Sequence, residues 1–284
     1  MSVRAPRRDA PLAIACALAI GGLDPGGGAG LLADMRAFAA AGAFGCAAIA
    51  LVTVQSTSGL RSATAVASRE VIAQIDEVVR HQRVRAIKVG ALGSAANVRA
   101  VGEWLARHRK LPAIVDTPML ATASSEGARL LASRAVVTMK RELIGHAALV
   151  TANAPEAEIL VGARVRDIRD ARDAAVALCR LGARAALIKG GHLRTRDEAV
   201  DVLAIGGEII ELRAPRLRLP KTRGTGCTLA SLIAGKLATS PYDGSEREAD
   251  ARVEAVVRWA KQTHHAALER VSDVGGAMKV ITFT

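Results

Sequence analysis

Short, nearly unbroken apolar runs alternate with stretches of helical spacing along most of this chain. The runs at 12–21, 46–54, 86–92, 113–119, 148–152 and 185–189 are brief and almost wholly apolar, so they read as buried strands. Between them, 30–41, 69–81, 95–108, 126–143 and 168–181 carry the three-and-four spacing of amphipathic helices. Strand–helix alternation of this kind predicts an α/β fold whose mostly parallel sheet is covered on both faces. Two later runs, 199–205 and 208–212, flank Gly206-Gly207 and predict an antiparallel hairpin. Two helices, 228–237 and 246–271, close the chain. With no internal repeat and no linker long enough to divide this order, the expectation is one domain over 11–284, preceded by a disordered basic tail over 1–10.

Composition changes this picture in three places. The chain has 284 residues, half of them hydrophobic, enough for a large core. Its net charge of +12 raises the question of nucleic acid. Yet the basic residues are scattered along helix faces, and aromatics, needed to stack bases, make up only 2% of the chain. A basic pocket for a phosphorylated small molecule accounts for the charge without a nucleic-acid partner. The four cysteines, Cys16, Cys46, Cys179 and Cys227, show neither a paired motif nor a metal spacing, which suits reduced thiols in a cytoplasmic protein. Arginines 4, 7 and 8 followed by an apolar run to Leu23 resemble a secretory signal. That run is too short to cross a bilayer and flows directly into a glycine loop, so it reads as a first strand and not as a membrane segment.

In open parallel sheets, ligands bind at the carboxyl ends of the strands. The polar and glycine-rich motifs of this chain fall at those ends. Asp24 and Gly26–Gly28 follow the first run, Gln55 the second, Gly90 and Ala91 end the third, and Asp116 and Thr117 the fourth. Asn153 and Glu156 follow the fifth, and Lys189-Gly190-Gly191-His192 the sixth. The most informative segment is Gly224-Thr225-Gly226-Cys227, directly before an apolar helical run. Glycines permit a tight turn there, and the first N–H groups of the helix, with the positive end of its dipole, make an anion hole. Thr225 is the expected cap, and the helix N-terminus is expected to lower the Cys227 pKa and favour thiolate. Asn153 with Glu156 also matches a helix capping box, a reading that coexists with a catalytic one. Gln55 by itself is a polar strand end, and Lys189 could neutralise phosphates or simply snorkel from its strand. The glycine loop does not fit GxGxxG, and the chain has no GK(S/T) phosphate loop.

Taken in order, Gly21–Gly30 with Asp34, Val52–Thr57, Lys88–Leu92, Val115–Leu120, Asn153–Glu158, Lys189–His192 and Gly224–Thr228 resemble the ribokinase-like superfamily. Within it, the chain is most similar to the hydroxymethylpyrimidine and phosphomethylpyrimidine kinases of thiamin biosynthesis, over about 12–266. The resemblance implies a three-layer α/β/α sandwich and an ATP- and Mg²⁺-dependent kinase, a homodimer, acting on an aminopyrimidine alcohol or its monophosphate. It further implies an anion hole at Gly224, Thr225, Gly226 and Cys227, with Cys227 standing where many relatives carry a catalytic Asp. Cys227 and Lys189 are then catalytic, and Lys189, with Asn153, Glu156 and Asp116, serves ATP and Mg²⁺, Glu156 and Asp116 reaching the metal through water. Asp24, Gly28, Gln55, Ala91 and Pro118 shape the pyrimidine pocket, Gln55 holding the ring through its amide.

Several positions depart from the family's pattern. Ala91 stands where Met is usual, and Pro118 where Val is common. A roomier pocket follows, with use of the monophosphate at least as good as that of the alcohol as its expected consequence. Arg223 replaces a frequent His and adds a fixed fork of donors beside the phosphate site. The stretch 121–125 lacks a usual basic residue, and 272–284 does not match the family's glycine-rich ending. A pyridoxal or pyridoxine kinase is the nearest alternative, and a non-catalytic pyrimidine-binding protein the next; joint retention of Asn153, Glu156, Lys189 and Cys227 argues against the latter.

Overall fold

A computed structural model describes residues 13–118, 133–240 and 246–283. The expected tail over 1–10 and the stretch 121–125 lie outside the described residues. Nine strands form one sheet: β1 (Cys16–Leu23), β2 (Phe44–Ser56), β3 (Gly59–Ala65), β4 (Val84–Val89), β5 (Ala113–Asp116), β6 (Leu149–Asn153), β7 (Ala185–Lys189), β8 (Glu198–Ile205) and β9 (Glu208–Pro215). Their spatial order is β3-β2-β1-β4-β5-β6-β7-β8-β9. The strands from β2 through β7 along that order run parallel, while β3, β8 and β9 pair antiparallel at the two edges. The chain moves outward from β1 to β2 and then returns past it to β4, so the order reverses at β1 and opens a crevice at the strands' carboxyl ends.

Because side chains alternate across a strand, each strand feeds two cores. Leu18, Ile20, Val89, Val115 and Ile188 pack on one face, under α2 (Ser68–His81), α3 (Ala95–Arg107), α4 (Ser133–Glu142), α5 (Ala154–Val161) and α6 (Ile168–Arg180). Ala17, Ala19, Ile114 and Leu187 pack on the other, under α1 (Gly30–Ala40), α7 (Thr225–Thr239) and α8 (Glu246–Leu268). The three-layer α/β/α architecture follows from that split.

The expected elements are present with shifted ends. The first strand starts at Cys16, since Ala13 and Ile14 are exposed. The strand expected over 113–119 ends at Asp116, and the part of the 126–143 helix that is described begins at Ser133. The last helix stops at Leu268. The hairpin turns at Gly206 and Gly207, both at positive φ (58° and 84°), as a two-residue turn demands. Strand β3 was not expected, because its residues are almost all solvent-exposed and show no apolar alternation. Helix α5 is only eight residues long; the Asn153–Glu156 capping box, with both reciprocal bonds at 2.8 Å, and a Pro in its first turn start it.

Candidate active site

Helix α7 begins at a glycine. Gly224 is the residue before its first turn, in the left-handed region at φ 70°, and no side chain caps the helix. Thr225, the expected cap, is instead the first helical residue. The reason is steric: Gly224 lies against the Gly28 carbonyl, where a Cβ would collide with backbone. The N–H groups of Thr225, Gly226 and Cys227 therefore have no intrahelical acceptor and point out of the helix end. Thr228 is the first to bond back, to the Gly224 carbonyl at 2.8 Å.

Lys189, at the end of β7, comes up beneath this turn. A Cβ on Gly226 would stand 2.8 Å from its Nζ, so the glycine lets a cation reach the helix end. The same ammonium donates to Asp116 Oδ1 at 2.9 Å and lies 3.6 Å from Glu156 Oε2. Thr151 donates to the same Asp116 oxygen at 2.8 Å. Burial works to lower the Lys189 pKa, but Asp116 and Glu156 outweigh it and hold the pKa above the usual range. Burial likewise works to raise Asp116, yet Lys189 and Lys88 pull it below the ordinary carboxylate value. For Glu156 burial wins, and its pKa is raised.

The opposite wall is the glycine loop after β1. Asp24 is buried and accepts from the N–H groups of Gly26 (2.9 Å) and Ala29 (3.0 Å), which folds the loop over its own carboxylate. Gln55 stands at the end of β2, where the pairing with β3 slips by one residue. With Asp24, Ala91, Pro118 and the Gly224–Cys227 turn, it lines one cavity of about 500 Å³. Asp116, Asn153, Glu156 and Lys189 line the same cavity. Gly28 does not. It sits behind Arg223, where a Cβ would come 3.2 Å from Arg223 Cδ, so it provides room for that side chain and no cavity wall.

The phosphomethylpyrimidine kinase family profile matches residues 24–279. The chain belongs to this family. It is 43% identical over 221 residues to a hydroxymethylpyrimidine/phosphomethylpyrimidine kinase of Streptomyces coelicolor, covering 78% of this chain and 80% of that protein. It is 38% identical over 255 residues to the thiamine biosynthesis bifunctional protein ThiED of Geobacter sulfurreducens; this covers 89% of the chain but spans only about half (51%) of that relative. Among solved structures, the phosphomethylpyrimidine kinase of Clostridium difficile 630 superposes with a TM-score of 0.70 at 29% identity, covering 87% of this chain and 98% of that one. An ADP complex of Bacillus subtilis pyridoxal kinase superposes with a TM-score of 0.82 at 23% identity, covering 95% and 97%, a likeness of fold.

In this member of the phosphomethylpyrimidine kinase family the thiol contradicts the expectation of a thiolate. Burial pushes Cys227 up to about 12; Lys88 and Lys189 oppose the shift, and Asp116 and Asp34 add to it. The cost of ionising this half-buried sulfur, to which Asp116 and Asp34 add, is thus larger than the pull of the two lysines. Sequence reading also missed several cavity residues. Lys88 lies inside the Lys88–Leu92 motif but was given no role. It is buried, donates to both Asp34 oxygens at 3.0 Å, and Ser231 donates to the same carboxylate at 2.7 Å. Its pKa is lowered by burial but raised more by Asp34 and Asp116, so it stays a cation beside α7. At the far end, Arg216 holds the Gly190–His192 turn through the carbonyls of Gly191 (3.1 Å) and Leu193 (3.0 Å). Lys261 and His264 of α8 also line the cavity. Lys261 pairs with Asp201 at 2.8 Å. His264 lies against the Thr225 backbone and is pushed down to about 3 by burial and Lys261, so its imidazole is neutral. Their spacing of three on one helix was the only sequence signal, and every amphipathic helix gives it.

Proposed function

We propose that this protein phosphorylates an aminopyrimidine alcohol, its monophosphate, or both, with ATP as phosphoryl donor. The observation that carries the reading is the convergence of the Gly224–Cys227 helix end, the Lys189 ammonium and the Gln55 amide on one cavity. Phosphoryl transfer asks a protein for positioning and for charge stabilisation more than for covalent chemistry. In this reading the N–H groups of Thr225, Gly226 and Cys227 receive the equatorial oxygens of the migrating group, and Lys189 supplies positive charge beneath them. Lys88, fixed by Asp34, adds a second buried cation. Gln55 offers both a donor and an acceptor to the edge of an aminopyrimidine, with Asp24 on the same wall. Ala91 and Pro118 leave space about the ring. Cys227, a neutral thiol, lines the hole as a positioning group and does not serve as a base at neutral pH.

Asp116 and Glu156 face one spot, since both reach the same ammonium. Two carboxylates with Asn153 beside them suit a hydrated Mg²⁺, which prefers oxygen ligands and keeps several waters. Such an ion supplies charge neutralisation for the nucleotide phosphates. Among the described residues no helix is long and apolar enough to cross a membrane; a cytoplasmic location is part of the proposed reading, in keeping with the unpaired cysteines. Exposed Val52 and Val54 on β2 offer apolar side chains to the homodimer that the family resemblance implies.

The deciding experiment is a coupled ADP-release assay with the pyrimidine alcohol, its monophosphate and pyridoxal. Turnover of either pyrimidine well above that of pyridoxal is the expected result. Turnover of pyridoxal alone would overturn the substrate assignment, and no ADP release from any of the three would overturn the kinase reading.

A further inference from the structure

Arg223 lies between the glycine loop and the anion hole, and the structure leaves it under-partnered. Its side chain is only 4% exposed, and it lines the cavity. Nε and Nη1 have no hydrogen-bond acceptor among the described residues. Asp24, the nearest carboxylate, stands 3.8 Å from Nε, beyond hydrogen-bond reach. Its two oxygens already accept from Gly26 and Ala29. A buried guanidinium with idle donors costs free energy unless an acceptor arrives. The backbone around it is fixed for another reason: the Arg223 N–H donates to the Lys279 carbonyl at 2.9 Å, and its stem packs on Gly28. The charged head is therefore held beside the entrance of the anion hole, one residue before Gly224.

We propose that Arg223 is a specificity-determining residue that receives the phosphate of an already phosphorylated pyrimidine, so that this chain prefers the monophosphate to the alcohol as phosphoryl acceptor. The inference rests on the pyrimidine kinase reading and adds which acceptor the site selects. Geometry places the acceptor there: its attacking oxygen must lie next to the γ-phosphoryl group at Gly224–Cys227, within the neighbourhood of the Arg223 fork. A planar guanidinium matches two phosphate oxygens at once. The chemistry agrees. In the transfer, an oxygen of the substrate phosphate forms a bond to the γ-phosphorus while the bond from that phosphorus to the β–γ bridging oxygen breaks, and the electron pair leaves with ADP. A phosphate monoester is largely dianionic at neutral pH, its second pKa being about 6, so no proton has to be removed. An alcohol acceptor needs a base, and the thiol at this helix end is protonated at neutral pH.

The test is calorimetric titration of the full chain, without nucleotide, with the pyrimidine alcohol and with its monophosphate. The parent protein is expected to bind the monophosphate about tenfold or more tighter than the alcohol, as a charge-assisted bidentate contact provides. Arg223→Gln should reduce that ratio to about threefold or less, and Arg223→Lys should leave an intermediate ratio, because it keeps charge without the fork. A thermal melt checks that each variant folds; if the glutamine variant does not, the lysine variant carries the test, its ratio falling below the parent's. A ratio near one in the parent, or an unchanged ratio in the folded variants, overturns the role of Arg223 and leaves the kinase reading standing. Binding of pyridoxal but of neither pyrimidine overturns the reading and the inference together.

Discussion

At Cys227 two physical effects compete, and their sizes decide the chemistry. A helix N-terminus favours an anion by a fraction of a kcal/mol to about 2 kcal/mol. Burial of the sulfur, with Asp116 and Asp34 near it, works against the anion, and the thiol is held at about 12. At pH 7.5 roughly one thiol in ten thousand or fewer is ionised at that value, so iodoacetamide labelling of Cys227 should be very slow and should climb only in strongly alkaline solution. Rapid labelling at neutral pH would restore the thiolate. Cys227→Ser, which keeps a donor, should hold kcat within about threefold, while Cys227→Ala should lower it about tenfold, the worth of one modest hydrogen bond. Asp116 gives a second prediction with a definite sign. Its folded pKa lies below the unfolded value near 3.8, so its stabilisation is complete above that value and is lost as pH falls through the folded one. Asp116→Asn should cost about 3 kcal/mol near neutral pH, as removal of one partner from a buried pair does, and that deficit should shrink below pH 4 in urea titrations. Glu156 works the other way: its raised pKa makes it a cost that appears as pH rises past 4.5.

Among the elements, α7 governs the site because it is buried along nearly its whole length. Gly235 packs against the C-terminal end of α1, where a Cβ would stand 2.8 Å from Ala41 Cβ and 3.2 Å from Phe38 Cα. Gly235→Val should destabilise the protein by about 1–3 kcal/mol, an overpacking cost measurable by denaturant titration. It should also shift the helix end and weaken nucleotide binding. An unchanged midpoint would show that α1 can move aside. The strands and helices that carry a period of two or of 3.6 were readable because each buries one continuous apolar set, as α6 does with Ala171, Ala174, Ala175 and Leu178. Strand β3 was not readable, since it is held by pairing with β2 and buries almost nothing of its own. Helix α5 was legible only through its capping box, which speaks for the start of a helix and not for its length.

For the molecule as a whole, the segment from Ser272 to Phe283 ties two cavity walls together. Thr57 donates to the Gly275 carbonyl at 2.8 Å, which anchors the β2–β3 turn next to Gln55. Lys279 exchanges backbone bonds with Lys221 and Arg223, which anchors the approach to Gly224. Val280 and Ile281 are buried beside them. Deleting residues from Ser272 onward should lower the melting temperature and weaken pyrimidine binding at least about tenfold, since both walls lose their tether; intact binding would mean that the walls hold alone. This strap has no motif in the sequence, because its partners lie more than fifty and more than two hundred residues away. The sequence by itself determined the layer order, the parallel sheet and the motifs at its strand ends, since these depend on local periodicity and on residue types with few conformational options. The tertiary structure alone decided that Gly224 and not Thr225 precedes α7, that Gly28 sits behind Arg223, and that Lys189 comes up beneath this helix end with Lys88 in the same cavity. It also decided that Cys227 is a thiol, because desolvation and charge depend on what surrounds a group in space and not on its neighbours along the chain.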